Sequence, residues 1–233
     1  MRWIFVSFFL LTSYFLPPTS VNAQSVDILW QGETYTPPFY QGRALWSRQS
    51  RATLVAIPQG LGNPANLDYI WMKNGTILGN ISGIGKNSLT FMDTIFSKRV
   101  TIKVEIVRGD DELLAEASII LTPFPQVLTI YENNPLYGFL FHQEVSDAYP
   151  LREAEVTFSV FPLFFNTQNH SDAILTYEWR TNTDEAETGS SVTYRIPEKA
   201  SGTSLISVAL TNINQIMQSA NKSFLVQFGN ENE

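Results

Sequence analysis

The pattern Leu-x-Tyr-x-Trp occurs twice in this chain, as Leu67-Asp68-Tyr69-Ile70-Trp71 and as Leu175-Thr176-Tyr177-Glu178-Trp179. Side chains two apart on a strand share a face, so each copy places a leucine and two large aromatic residues on one side. A stripe of that kind must be covered, and a second packed sheet is the simplest cover. Tyr69, Trp71, Tyr177 and Trp179 are therefore the expected core plates of two antiparallel β-sandwiches.

The surroundings of the two copies also correspond. Val100, Ile102, Val104 and Ile106 alternate with Arg99, Thr101, Lys103 and Glu105, a period-two strand with one apolar and one charged face. Residues 108–112 turn the chain and 114–121 return it, which predicts a hairpin. Residues 96–124 reappear without a gap as 200–228, an offset of 104. That register sets Ile102, Val104, Ile106 and Leu121 on Ile206, Val208, Leu210 and Leu225. Residues 52–57 and the alternating run from Val156 read as strands stopped by Pro58 and Pro162. Further strands are expected at 26–30, 67–72, 87–92, 127–131 and 191–196. Asn134-Pro135-Leu136-Tyr137-Gly138 occupies the place of Pro37-Pro38-Phe39-Tyr40 in the first copy. The correspondence implies one duplicated module. Helix signals are nearly absent, so the expected class is all-β, two tandem antiparallel β-sandwich domains of the immunoglobulin-like or PKD-like kind behind a signal peptide.

The leader is residues 1–23: Arg2 is positive, residues 4–16 are mostly apolar, Pro17 and Pro18 end the run, and Val21-Asn22-Ala23 fits a cleavage site. An uncleaved anchor is the other reading, and the only membrane attachment expected. The remaining 210 residues suit two domains, 24–123 and 124–229, divided at Pro123-Phe124-Pro125, with a polar tail at 230–233. The net charge of −7 argues against nucleic acid as a partner. With no cysteine there is neither disulfide, thiol catalysis nor thiolate metal site, so each core must hold without crosslinks.

Each half resembles the PKD-type immunoglobulin-like modules of bacterial surface proteins, in which a Tyr-x-Trp strand is followed by a turn with Asn or Gly. Tyr69-x-Trp71 with Asn74-Gly75, and Tyr177-x-Trp179 with Asn182, carry that resemblance. The Gly-Asp-Gly usual in that turn is absent from both copies. Tyr35-Thr36-Pro37-Pro38-Phe39-Tyr40-x-Gly42-Arg43-Ala44 is similar to a segment of uncharacterised secreted proteins of candidate-phylum bacteria. The resemblance implies a sandwich fold and brings no activity.

Few residues suggest chemistry. His142 and His170 lack partners at metal-ligand spacing, and no Gly-x-Ser-x-Gly elbow or phosphate loop is present. Asp110, Asp111 and Glu112 cluster in one turn, and Asp184, Glu185 and Glu187 in another. A solvated turn is the preferred reading; a weak calcium site at Asp110, Asp111 and Glu112 is the sharper one, and no other cofactor is expected. Tyr35, Phe39, Tyr40 and Trp46 crowd one loop and form the candidate sugar-stacking face, with edge filling preferred over binding; Phe161, Phe164 and Phe165 are the analogous filler. Sequons occur at Asn74, Asn80, Asn169 and Asn221. The expectation is a non-enzymatic, exported, extracellular or envelope-associated structural or adhesive protein, with envelope or surface-assembly proteins as partners. The alternative is a carbohydrate-binding module using aromatics near Trp46.

Overall fold

The computed structural model describes residues 24–92, 94–96, 98–109, 112–181, 186–196 and 200–229; the expected leader and polar tail lie outside them. The first half contributes β1 (Ser25–Glu33), β2 (Arg51–Gln59), β3 (Asp68–Lys73), β4 (Thr76–Ile77), β5 (Gly83–Ile84), β6 (Ser88–Met92), β7 (Val100–Arg108) and β8 (Glu112–Leu121). They form one sheet ordered β1-β2-β6 and another ordered β4-β3-β7-β8, with β5 on β3. The second half contributes β9 (Val127–Asn134), β10 (Gly138–Glu144), β11 (Ala148–Leu151), β12 (Glu155–Leu163), β13 (Leu175–Arg180), β14 (Ala186–Thr188), β15 (Ser191–Arg195), β16 (Gly202–Asn212) and β17 (Ser219–Phe228). These make sheets β10-β9-β12-β15 and β11-β17-β16-β13-β14. The chain is all-β. Its strand pairs are antiparallel except for β11 on β17, which is parallel.

One core draws on residues between Val26 and Leu121, another on residues between Leu128 and Phe228. The expected plates are all buried, and their polar atoms find equivalent partners. Trp71 Nε1 donates to Lys86 O and Trp179 Nε1 to Gly189 O, each at 2.9 Å. Tyr69 donates its hydroxyl to Pro64 O at 3.1 Å, and Tyr177 to His170 O at 2.5 Å. Thr53–Thr90 and Thr157–Thr193 hydroxyl pairs, both at 2.9 Å, occupy matching ladder positions. These bonds let a large ring be buried without an unpaired donor. Burial raises the phenol pKa values of Tyr69 and Tyr177.

Three sequence expectations are corrected. Pro58 and Pro162 do not stop their strands; they sit opposite Val26 and Leu128 in the ladders. Ala56 N donates to Asn87 O and Val160 N to Ser190 O, which shows that even-numbered amides here face β6 and β15. Those neighbours have ended by positions 58 and 162, so no ladder bond loses its donor. Second, Asn134–Gly138 is a tight hairpin turn into β10, and β10 and β11 follow it with no strand counterpart at 34–50.

Third, the offset of 104 fails after the last hairpin. Val100 pairs with Leu121, but Ser204 pairs with Val226. Leu121 therefore corresponds to Val226, an offset of 105. A one-residue slip exchanges the two faces of a strand. Val226 is accordingly buried at 0 % exposure, and Leu225, the expected core residue, is 39 % exposed.

Candidate functional site: an aromatic seam between the halves

The segment between β1 and β2 begins and ends on its own half. Gly32 N donates to Ala44 O at 2.7 Å, and Thr34 Oγ1 to Leu45 O at 2.8 Å. A Cβ at position 32 would lie 2.5 Å from Leu45 backbone atoms, so this close approach requires glycine. Arg43 returns over the Trp30 ring at 4.2 Å. Between these anchors the chain forms a strap that crosses to the other half.

At its first contact the strap pairs by backbone. Tyr35 N donates to Phe165 O at 2.8 Å, and Phe164 N to Tyr35 O at 2.9 Å. Pro37 O then accepts from Tyr40 N at 2.9 Å, closing a turn that projects Phe39. The Phe39 ring lies 5.0 Å from Tyr131 and 5.8 Å from Phe161, both edge-on, and 4.1 Å from Phe141. Phe139 packs on Phe141 and Phe161. Tyr40 and Phe124 both meet Phe164 edge-on. His170 closes the rim, 4.8 Å from Phe161. Burial holds its imidazole below the ordinary histidine pKa, and burial raises the Tyr35 phenol. Tyr131 is raised by burial and then by the charge of Glu144.

The second contact is polar. The turn Ser47–Ser50 is tied by Ser50 Oγ, which donates to Ser47 O at 2.8 Å and accepts from Ser47 N at 3.0 Å. This holds Gln49 at φ 58°, a left-handed conformation that costs a non-glycine residue about 1–2 kcal/mol. Gln49 offsets that cost with bonds across the seam. Its Oε1 accepts from Met217 N at 2.7 Å, and its O accepts from Asn166 Nδ2 at 3.4 Å. Gln218, almost fully buried, donates to Arg48 O at 2.8 Å and accepts from Asn166 N at 2.8 Å.

The structure thus brings Tyr35, Phe39 and Tyr40 to the seam, each half-buried, but removes Trp46 from any sugar-stacking face. Trp46 is 0 % exposed, packs on Phe91 at 5.5 Å and donates Nε1 to Ser50 O at 3.2 Å. With both ring faces inside the first core, it cannot stack on a ligand. Phe161 and Phe164 lie at the seam, whereas Phe165 belongs to the second core. Asp110 and Asp111, and likewise Asp184 and Glu185, lie outside the described residues; Glu112 is exposed at the start of β8. Among the described residues no three His, Asp or Glu gather as a metal group.

Tyr131, Phe139, Phe141, Gln49 and Gln218 were not singled out from sequence. A signal for the seam existed: Val160-Phe161-Pro162-Leu163-Phe164-Phe165 is apolar at every position. A strand end that is apolar on both faces has to be covered on both. Elsewhere, a cleft of about 400 Å³ opens at the β15 edge, lined by Val192, Tyr194, Arg195, Ile206 and Phe228 among others. It includes none of the predicted site residues.

No protein-family model and no curated protein sequence matches this chain. Among solved structures it is similar to the fibronectin(III)-like modules of Clostridium thermocellum CbhA, at 10% identity and a TM-score of 0.28, over 88% of this chain and 98% of that one. It is also similar to the chicken interferon gamma receptor alpha chain, at 10% identity and TM-score 0.32, over 80% and 96%. A third is the central fibronectin-III array of RIM-binding protein, at 10% identity and TM-score 0.27, over 82% and 69%. Overlap at this level carries no inference about activity or partners. The all-β assignment rests on the strand pairing itself.

Proposed function

We propose that this chain is a non-enzymatic structural or adhesive protein, exported to the cell surface or envelope, in which two sandwich modules divided at Pro123-Phe124-Pro125 act as one stiff unit. The observation that supports this reading is the strap: Phe39, carried by the first half, is seated among Tyr131, Phe141 and Phe161 of the second. A chain that commits its clustered aromatic residues to fixing an angle between modules suits a spacer or a component of a surface assembly, for which relative position is the function. The test is chemical crosslinking of intact source cells, capture of this chain and mass spectrometry of what accompanies it. A recurrent envelope or surface subunit is the expected result. Recovery of the chain alone from the cell interior would reject the proposal.

A second reading is favoured by one observation: Phe39, Phe139 and Phe141 pack together while each stays half-exposed, and Tyr40 is half-exposed beside Phe164. Aromatic faces of this kind stack on sugar rings. Saturable binding on a glycan array, lost in Phe141→Ala at unchanged melting temperature, would move the assignment to glycan recognition.

A further inference from the structure

The two halves close the same slot differently. It lies between the two sheets, beside β6 in the first half and β15 in the second. Trp71 sits opposite Val104 and Trp179 opposite Val208, which aligns the longer sheets. Phe91 sits opposite Ala52 and Tyr194 opposite Val156, each next to its threonine pair, which aligns the edge strands. Phe91 and Tyr194 are therefore equivalent rings at this slot. Each is half-buried and meets another ring, Phe91 with Trp46 at 5.5 Å and Tyr194 with Phe228 at 6.3 Å.

In the first half a cation covers this ring. Lys73 follows Trp71 by two residues, so it shares the inward face, and its Nζ lies 4.6 Å from the centre of the Phe91 ring. The residue two beyond Trp179 is Thr181, short and uncharged. A second exchange accompanies the first. Leu78 N donates to Trp71 O at 2.8 Å, and Leu78 packs on the first core. The residue opposite Trp179 is Glu187, and directly opposed residues share a face. The second half thus lacks the cation over its ring and carries a carboxylate beside it. Here the slot is the open cleft of about 400 Å³, lined by Val192, Tyr194, Ile206 and Phe228 together with Thr181 and Glu187. Arg195 also lines it, but its guanidinium is held on the outer face, where Nε pairs with Glu155 Oε2 at 2.6 Å across the ladder. Ser204, only 5 % exposed, adds a polar residue to the wall where the first half has Val100.

We infer that this cleft binds an alkylammonium group of a second molecule, its charge between the Tyr194 ring and Glu187 and its methylenes along Val192, Ile206 and Phe228. The first half shows what fits such a slot: a lysine side chain, with an apolar stem and a charged head. The ring supplies the cation–π contact that Phe91 gives Lys73, and Glu187 supplies a charge that Leu78 cannot. One ring and one partly solvated carboxylate support an affinity in roughly the millimolar range. The same chemistry is carried by a lysine of a partner protein and by a free diamine. The inference goes beyond the structural role proposed above and does not depend on it.

The test is a titration of the purified chain followed by backbone amide NMR shifts. The probes are the blocked peptide Gly-Lys-Gly, the same peptide with norleucine in place of lysine, and cadaverine. Saturable shifts at Thr193, Tyr194 and Ser204 are expected with the lysine peptide or cadaverine and not with the norleucine peptide. Binding of the lysine peptide assigns the cleft to a protein partner; binding of cadaverine alone assigns it to a free amine. Glu187→Gln should weaken binding about 2- to 5-fold. Thr181→Lys restores the arrangement of the first half, and should abolish binding while raising the melting temperature. No saturable shift at these residues up to about 20 mM overturns the inference. So do equal shifts with norleucine, or binding that Thr181→Lys and Glu187→Gln both leave unchanged. A cleft that binds no amine in a chain that still crosslinks to an envelope protein on cells would overturn this inference and leave the broader proposal intact.

Discussion

The two halves of this protein use the same slot in opposite ways. Each has a stretch of chain between its first strand and the next long one. In the second half that stretch turns tightly and stays at home. Asn134 Oδ1 accepts from Leu136 N at 3.0 Å and Tyr137 N at 3.3 Å, and Gly138 takes φ 71°. The chain returns as β10 along its own β9 and then flanks β17 as β11. In the first half the equivalent stretch carries Pro37-Pro38, which lack the donors a returning strand needs. It leaves its own sheet and seats Phe39 on the neighbour. A few turn residues thus decide whether a loop completes its own module or ties two modules together. The same choice leaves β8 as the last strand of its sheet, where β17 is flanked by β11.

The comparison can be broken at the root of the strap. Trp46→Ala removes a fully buried ring and its bond to Ser50 O, and should destabilise the first half by about 3–5 kcal/mol in urea unfolding. Phe39→Ala acts on the tie itself. A half-buried phenylalanine with three ring contacts should cost about 2–3 kcal/mol. Calorimetry should then resolve two transitions where the intact chain gives one. Gln218→Ala leaves Asn166 N and Arg48 O without their partner, and is expected to cost about 1–2 kcal/mol, again by separating the halves.

The smallest effect is that of pH. Burial lowers the His170 pKa in the folded state below its ordinary 6.5, so the unfolded chain binds the proton more readily. The stability this group contributes is complete above pH 6.5 and is lost as pH falls through 6.5 towards the folded value. The drop in melting temperature between about pH 7.5 and 5.5 should shrink in His170→Gln.

Strand alternation and the Tyr-x-Trp plates were legible in the sequence because period-two burial is a local property. The flip at Leu225 was not, because aligned letters do not count residues in a hairpin, and one extra residue exchanges the faces. Pro58 and Pro162 misled because proline forbids only the bond that its own amide would have made; which side that amide faces depends on where a distant neighbour ends. The seam was half legible. Tyr35, Phe39 and Tyr40 stood out by composition, but their partners lie about a hundred residues away, and no local pattern joins Gln49 to Met217. Trp46 stood out equally and belongs to the core, since sequence gives an aromatic residue's presence and not the direction of its ring.

The most direct test of the strap as a tie is the alignment of the two halves in solution, measured by backbone residual dipolar couplings. Couplings from residues 25–121 and from residues 127–228 should fit one alignment tensor in the intact chain and two in Phe39→Ala. Two different tensors in the intact chain would mean that the halves move independently and that the strap does not join them.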